Sequence, residues 1–293
     1  MQTKQQIQHL LASAGISVNR RLGQHFLIDL NLMRLLVASS GIRKNDIVLE
    51  VGCGTGSLTE ALAQDAGKVI AVELDGHLAE LAKARLAGLE NLAIIHTDIL
   101  ANKKTISRTV IDALKLSRAK HAGRILLVAN LPYNVASPVI LNLLKGPMVA
   151  DAMYVTVQRE VADRMTAGPG GGEYGTLGVF LGAIGQAKTI RTLKPTVFWP
   201  QPEVDSAMVS FVRSGEKAGR IRDMQLFGET VSLFMGHRRK MVKSCTKFAT
   251  GRLAKITDWP QVFERCCIDP TRRPQQLSPE EYIAMANLCS GWA

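Results

Sequence analysis

The chain has 293 residues, 46% of them hydrophobic and 21% charged, which excludes a disordered composition and allows one large domain or two smaller ones. Lys and Arg total 36 against 25 Asp and Glu, a formal net charge of +11. That excess points to a polyanionic partner, nucleic acid first and an anionic membrane surface second.

No apolar run approaches the roughly 20 residues of a membrane helix, and the first 21 residues lack the apolar core of a signal peptide. The five cysteines (53, 245, 266, 267 and 289) form no C-x-x-C pair. They read as reduced thiols of a cytoplasmic protein, and no metal site is expected.

In chain order, Ile7, Leu10, Leu11 and Ala14 mark one face of a short helix ended by Gly15. Asp29 caps a helix that runs through Leu32, Leu35 and Leu36 to Gly41. Residues 46–51 form an apolar strand entering Gly52-Cys53-Gly54-Thr55-Gly56, and a helix carrying Leu58 and Leu62 follows. Further strands are expected at 68–74, 92–96, 125–129 and 153–157, with helices to Gly88 and at 105–116, 137–145 and 158–167. Such alternation predicts a mainly parallel sheet covered on both faces.

Residues 168–175 are glycine-rich and read as a mobile loop, either a lid over a target or a plain connection. Residues 189–193 and 206–212 read as a closing antiparallel pair around Trp199-Pro200-Gln201-Pro202. After a polar linker at 214–219, helical segments are expected at 226–234, 239–249, 262–267 and 279–288. The pattern divides the chain into an α/β domain, 1–213, and a smaller helical domain, 214–293.

The most informative stretch is Asn130-Leu131-Pro132-Tyr133, directly after the apolar strand 125–129. An exocyclic amine on a flat base needs such a set. Asn130 offers an amide oxygen, Leu131 a backbone carbonyl whose direction is restricted by the following proline, and Tyr133 a ring to stack on. Taken alone the tetrapeptide could equally be a strand-to-turn junction. Glu50-Val51-Gly52-Cys53-Gly54-Thr55-Gly56 could serve several nucleotide cofactors, but its G-x-G-x-G spacing favours S-adenosyl-L-methionine over a dinucleotide, and no Lys-Ser/Thr follows for a P-loop. Glu73 closes the next strand, where a carboxylate grips ribose hydroxyls, and Asp98 closes the third, where it could accept from an adenine amino group. Each carboxylate alone is more often a cap. Four such positions at successive strand ends favour a ligand site.

The chain also resembles a known family. Gly23-Gln24-His25-Phe26-Leu27, the glycine motif, Val72-Glu73-Leu74-Asp75, Asn130-Leu131-Pro132-Tyr133-Asn134, the stretch Phe198 to Ser206, Arg238-Arg239-Lys240 and Arg273 to Ser278 occur in that family's order. The match spans about residues 20–288 and is to the small-subunit ribosomal RNA adenine N6-dimethyltransferases of the KsgA type. The resemblance implies a Rossmann-like class I methyltransferase domain with an all-helical C-terminal domain. It also implies transfer of four methyl groups from S-adenosyl-L-methionine to two adjacent adenosines near the 3′ end of small-subunit RNA, with a role in subunit biogenesis. By motif, His25 and Leu27 would contact the methionine part of the cofactor, Gly52 would lie under it, Glu73 would hold the ribose and Asp98 the adenine. Asn130 would face both cofactor and target. Many members carry Asn where this chain has His25, a neutral change if the contact is through the backbone. The long 101–123 segment is a second departure, without an assigned role.

Asn130, the Leu131 carbonyl and Tyr133 are the expected catalytic groups, with Phe198 as a second stacking ring unless it packs in the core. Arg238, Arg239, Lys240, Lys243 and Lys247 form a basic run without an acid, a solvated face or an RNA contact, which Arg20, Arg21, Arg272 and Arg273 would extend. The expected partner is small-subunit ribosomal RNA or its precursor particle, engaged by a monomer without a membrane. Methylation of large-subunit RNA or DNA, and a non-catalytic assembly factor on the same fold, are the rival readings.

Overall fold

The structure, a computed structural model, describes residues 1–19 and 23–291. Arg20 and Arg21, expected to extend the basic patch, lie outside the described residues.

The elements in order are α1 (Lys4–Ser13), β1 (Phe26–Leu27), α2 (Leu30–Ser40), β2 (Ile47–Val51), α3 (Ser57–Asp65), β3 (Lys68–Glu73), α4 (Gly76–Arg85), β4 (Leu92–His96), β5 (Leu100–Asn102), β6 (Thr105–Ile106), α5 (Arg108–Arg118) and β7 (Ile125–Asn130). They continue with α6 (Ala136–Lys145), β8 (Ala152–Gln158), α7 (Arg159–Thr166), α8 (Thr176–Ile184), β9 (Gly185–Leu193), β10 (Phe198–Trp199), β11 (Ser206–Arg213), α9 (Gly215–Gly219), α10 (Met224–Met235), α11 (Val242–Cys245), α12 (Trp259–Arg265) and α13 (Pro279–Cys289).

Seven strands form one sheet in the order β4-β3-β2-β7-β8-β11-β9. From β4 through β8 neighbouring strands are parallel, and β11 returns antiparallel to β8. β2, β3 and β7 are buried almost along their whole length, as the strands of a parallel sheet covered on both faces are. From β2 the chain winds outward to β3 and β4, then returns on the other side to β7 and β8. The order therefore reverses between β2 and β7, the place where open α/β sheets bind ligands beyond their strand ends. Helix starts follow from local chemistry: Asp29 accepts the Asn31 and Leu32 N–H groups to cap α2, and Asp75 does the same for His77 and Leu78 at α4.

The chain separates into two compact units, Met1–Ala162 with Lys188–Val212, and Asp163–Ala187 with Arg213–Ala293. A single boundary near 214 therefore misplaces Asp163–Ala187, which joins the C-terminal unit. The reason is α8, an unexpected helix whose Phe180 packs edge-to-face on Phe227 of α10 at 5.1 Å. Phe234 gathers Trp259, Phe263 and Tyr282 into the same kind of core. The glycine-rich 168–175 loop is pinned within this unit, by Gly170 N–H donating to the Gln275 carbonyl at 2.8 Å and by the buried ring of Tyr174.

Three smaller differences concern element type. Residues 215–219 form the short helix α9 rather than a linker, and residues 105–106 pair with β5 so that the helix begins only at Arg108. The expected 239–249 helix is one turn, α11, followed by a 3-10 turn. The 101–123 segment thus consists largely of a small hairpin and α5, whose Val110, Ile111 and Leu114 are buried.

Candidate active site

A cleft of about 1090 Å³, its open mouth included, lies in the first unit at the C-terminal ends of β2, β3 and β7. His25, Leu27, Gly52, Glu73, Asp98, Asn130, Leu131 and Tyr133 all line it, so eight of the nine residues expected to be catalytic or cofactor-binding come together. Ile7 of α1 also lines it, which periodicity placed in a helix face without any hint of a ligand.

The glycine turn is built for close approach. Gly52 has φ +78°, and a Cβ there would sit 3.0 Å from Pro132 Cγ; Gly54 has φ +56°, and a Cβ would meet Phe26 Cε1 at 2.8 Å. Glu73 braces the turn from below, accepting the Gly54 N–H at 2.7 Å through Oε2 and the Asp75 N–H at 2.9 Å through Oε1. Asp98 is exposed, and its Oδ1 accepts the Leu100 N–H at 2.8 Å.

Burial raises the Glu73 pKa above the ordinary carboxylate value. Glu50, only 2% exposed, is pushed up to about 8 by its burial, with the Glu73 charge adding. Glu50 Oε2 has no hydrogen-bond partner. Two carboxyl groups held out of water in one cleft, one with an orphaned oxygen, fit a positively charged ligand.

The target side is organised around Asn130. Its Nδ2 donates to the His25 carbonyl at 2.7 Å, and its Oδ1 accepts the Thr156 hydroxyl. The Asn130 amide is thus tied to the His25 backbone and not to its side chain. The His25 ring has its own partners: Nδ1 donates to the Pro200 carbonyl at 2.7 Å, and the ring stacks on Tyr133 with centroids 5.5 Å apart. The Tyr133 hydroxyl bonds to Ser206 Oγ at 2.6 Å, which fixes the ring at the cleft wall. Pro200 and Ser206 fall in the motif stretch 198–206 without an expected role, and Thr156, flanked by Val155 and Val157, has none either.

Phe198 departs from the expectation of a stacking ring. It is 2% exposed, belongs to the hydrophobic core and does not line the cleft. The cause is the two-residue ladder of β1 with β10, which sets Leu27 opposite Phe198 and Phe26 opposite Trp199. Trp199 stacks on Phe26 at 6.1 Å.

In the second unit Arg238, Arg239, Lys240, Lys243 and Lys247 are all exposed. Beside them Phe248 is exposed, stacked on His237 with centroids 4.0 Å apart, and Lys240 Nζ lies 5.5 Å over its ring. Arg272 does not extend this patch, because its guanidinium is held by Glu281 at 2.5 Å. Arg273 is exposed.

The family model described as ribosomal RNA adenine dimethylase matches residues 15–286. A ribosomal RNA small subunit methyltransferase A from Geobacillus sp. (strain WCH70) is 35% identical over 280 residues, covering 95% of this chain and 94% of the relative. The protein of the same name from Bifidobacterium adolescentis is 34% identical, with coverage of 96% and 91%. A solved dimethyladenosine transferase from Plasmodium falciparum superposes with a TM-score of 0.70 at 21% identity, covering 88% of this chain and 94% of that one. The 23S rRNA methyltransferase ErmE superposes with a TM-score of 0.63 at 19% identity, covering 90% and 99%. These two likenesses establish the fold, a class I methyltransferase sheet with added helices.

Proposed function

The chain belongs to the ribosomal RNA adenine dimethylase family, and from that premise we propose that it dimethylates N6 of two adjacent adenosines near the 3′ end of small-subunit ribosomal RNA. S-adenosyl-L-methionine is the methyl donor. One observation carries the reading: the Asn130 amide and the Leu131 peptide end β7 directly beside the glycine turn after β2, in one cleft at the reversal of strand order. The named substrate of the Geobacillus and Bifidobacterium relatives supports the small subunit over the large.

The residues present fit the donor. Glycines leave a cradle that side chains would fill, and the orphaned Glu50 oxygen suits a cation. Glu73 would hold the ribose, Asp98 the adenine, and the His25–Leu27 backbone the methionine part. When bound, S-adenosyl-L-methionine supplies an electrophilic methyl group on sulfonium.

The chain's own contribution is orientation. An adenine amine has its lone pair delocalised into the ring, so it needs aiming more than a strong base. Asn130 Oδ1 and the Leu131 carbonyl accept its two hydrogens, favour a pyramidal nitrogen, and stabilise the positive charge that develops there. After one transfer a single hydrogen remains, and a neutral amide or carbonyl can release its contact at little cost. Tyr133, fixed by Ser206 and backed by His25, gives the extruded base a face to stack on, worth about 1–3 kcal/mol. Phe198, buried behind β1, is not assigned that part.

Arg238, Arg239, Lys240, Lys243 and Lys247 bind RNA phosphate and position without reading sequence. The same reading has a cytoplasmic monomer acting on ribosomal RNA or its precursor particle. No described helix is long and apolar enough to cross a membrane.

The test is to incubate the protein with labelled S-adenosyl-L-methionine and unmethylated small subunits, then map the modified bases. Two neighbouring N6,N6-dimethyladenosines are expected; label in cytosine, or only in large-subunit RNA, rejects the proposal. Asn130→Ala is expected to lower methyl transfer by at least about 10²-fold. Subunit maturation that survives in this variant would reveal a biogenesis role independent of methylation.

A further inference from the structure

Thr156 lies in β8 directly opposite Asn130 in the β7–β8 pairing and is fully buried, at 0% exposure. Val155 and Val157 flank it and are fully buried, so a hydroxyl here must find a partner or carry the cost of burial. It donates to Asn130 Oδ1. The Thr156 carbonyl accepts the Leu131 N–H at 3.1 Å. One residue therefore bonds both the Asn130 side-chain amide and the N–H of the Asn130–Leu131 peptide.

The direction of these bonds is set by chemistry. The His25 carbonyl can only accept, so the Asn130 amide must turn its NH₂ toward it. Oδ1 then faces Thr156, whose hydroxyl occupies one of the two lone pairs on that oxygen. One lone pair is left for a substrate hydrogen. The amide is thereby gripped at both ends, and the Leu131 N–H ties the start of the following turn to the same strand.

We propose that Thr156 is a positioning residue for methyl transfer: its hydroxyl leaves Asn130 a single aimed acceptor for the target amine. This rests on the functional reading above. The hydroxyl acts through Asn130 and needs no contact with cofactor or base.

The test uses the full chain, S-adenosyl-L-methionine and unmethylated small subunits. Thr156→Val keeps the strand and the shape but removes the donor. It is expected to lower kcat by about 10- to 100-fold, while the RNA KM and the cofactor Kd stay within about twofold. Thr156→Ser keeps the hydroxyl and is expected to restore most of kcat. In an Asn130→Ala background, Thr156→Val should add little, because both changes remove one interaction.

A wild-type kcat in Thr156→Val overturns the proposal. So does a Thr156→Ser variant as slow as Thr156→Val, or an undiminished further loss in the Asn130→Ala background. A second readout does not depend on the reaction: hydrogen exchange of the Asn130 side-chain NH₂, followed by NMR, should quicken in Thr156→Val and not in Thr156→Ser. Unchanged exchange refutes the grip. A wild-type protein that modifies no adenosine while showing this exchange pattern would defeat the functional reading and leave the grip standing.

Discussion

At the scale of single residues, the cleft carries more negative potential than its neutral glycine turn suggests, and that potential is held back by burial. Glu50 is pushed up to about 8 from an ordinary 4.5, so the folded chain holds its proton more tightly than the unfolded chain does. Its contribution to stability is complete below the unfolded value and is lost as pH rises through about 8. A cationic ligand has the opposite preference and favours the carboxylate, so binding expels the proton. The affinity for S-adenosyl-L-methionine should therefore rise between about pH 6 and about pH 8, by at most about tenfold per pH unit for one proton. Glu50→Gln should flatten that rise and remove the matching fall in the melting temperature of the free protein. Calorimetric titration at both pH values checks it, and an unchanged pH slope in Glu50→Gln would assign the proton elsewhere. At this scale the sequence was readable where chemistry repeats a local rule. Asn130, Gly52 and Glu73 stand at strand ends that apolar runs announce. Thr156 and Pro200 were not readable, because their partners lie 26 and 175 residues away in the chain.

At the scale of elements, the same contrast separates what was legible from what was not. β2, β3 and β7 are largely apolar runs ending beside glycines and carboxylates, and they are found where expected. α8, with the sequence TLGVFLGAI, is apolar on every side, so it shows no helical period. The β1–β10 ladder consists of two residues on each strand and has no periodicity at all, yet it joins the Phe26 and Phe198 motifs and turns Phe198 inward. The sequence pattern announces α1 as a helix but not where it packs. Ile7 and Leu11 pack with Leu78 of α4, and Ile7 reaches the cleft wall. Ile7→Asp would bury an unpaired carboxylate, a cost of several kcal/mol that undocking α1 avoids. The expected result is a tenfold or greater loss of cofactor affinity, on the order of 1.4 kcal/mol or more, with rapid hydrogen exchange confined to α1 and the sheet still protected. Loss of protection throughout β2, β3 and β7 would show instead that α1 is integral to the first unit's core.

At the scale of the whole molecule, the +11 net charge is a statement about association rather than fold. Many of its cations are occupied within the chain: Arg85 by Glu60, Arg124 by Asp46, Arg252 by Asp223 and Glu229, and Arg272 by Glu281. The run around Arg239 differs, because Arg238, Arg239, Lys240, Lys243 and Lys247 stand exposed within ten residues of sequence that contain no acid. If these cations neutralise RNA phosphates, each contact releases about 0.7–0.9 of a counterion, and binding weakens with salt in proportion to the number of contacts. Arg239→Glu should then lower RNA affinity, and the slope of log K against log salt should shrink by about one. The cofactor Kd should not move, since no residue of this run lines the cleft. Filter binding across a salt series, with cofactor titration in parallel, reads both quantities. An affinity loss with an unaltered slope would mean that Arg239 acts through shape rather than charge, and an equal loss of cofactor binding would expose a folding defect in place of a lost contact.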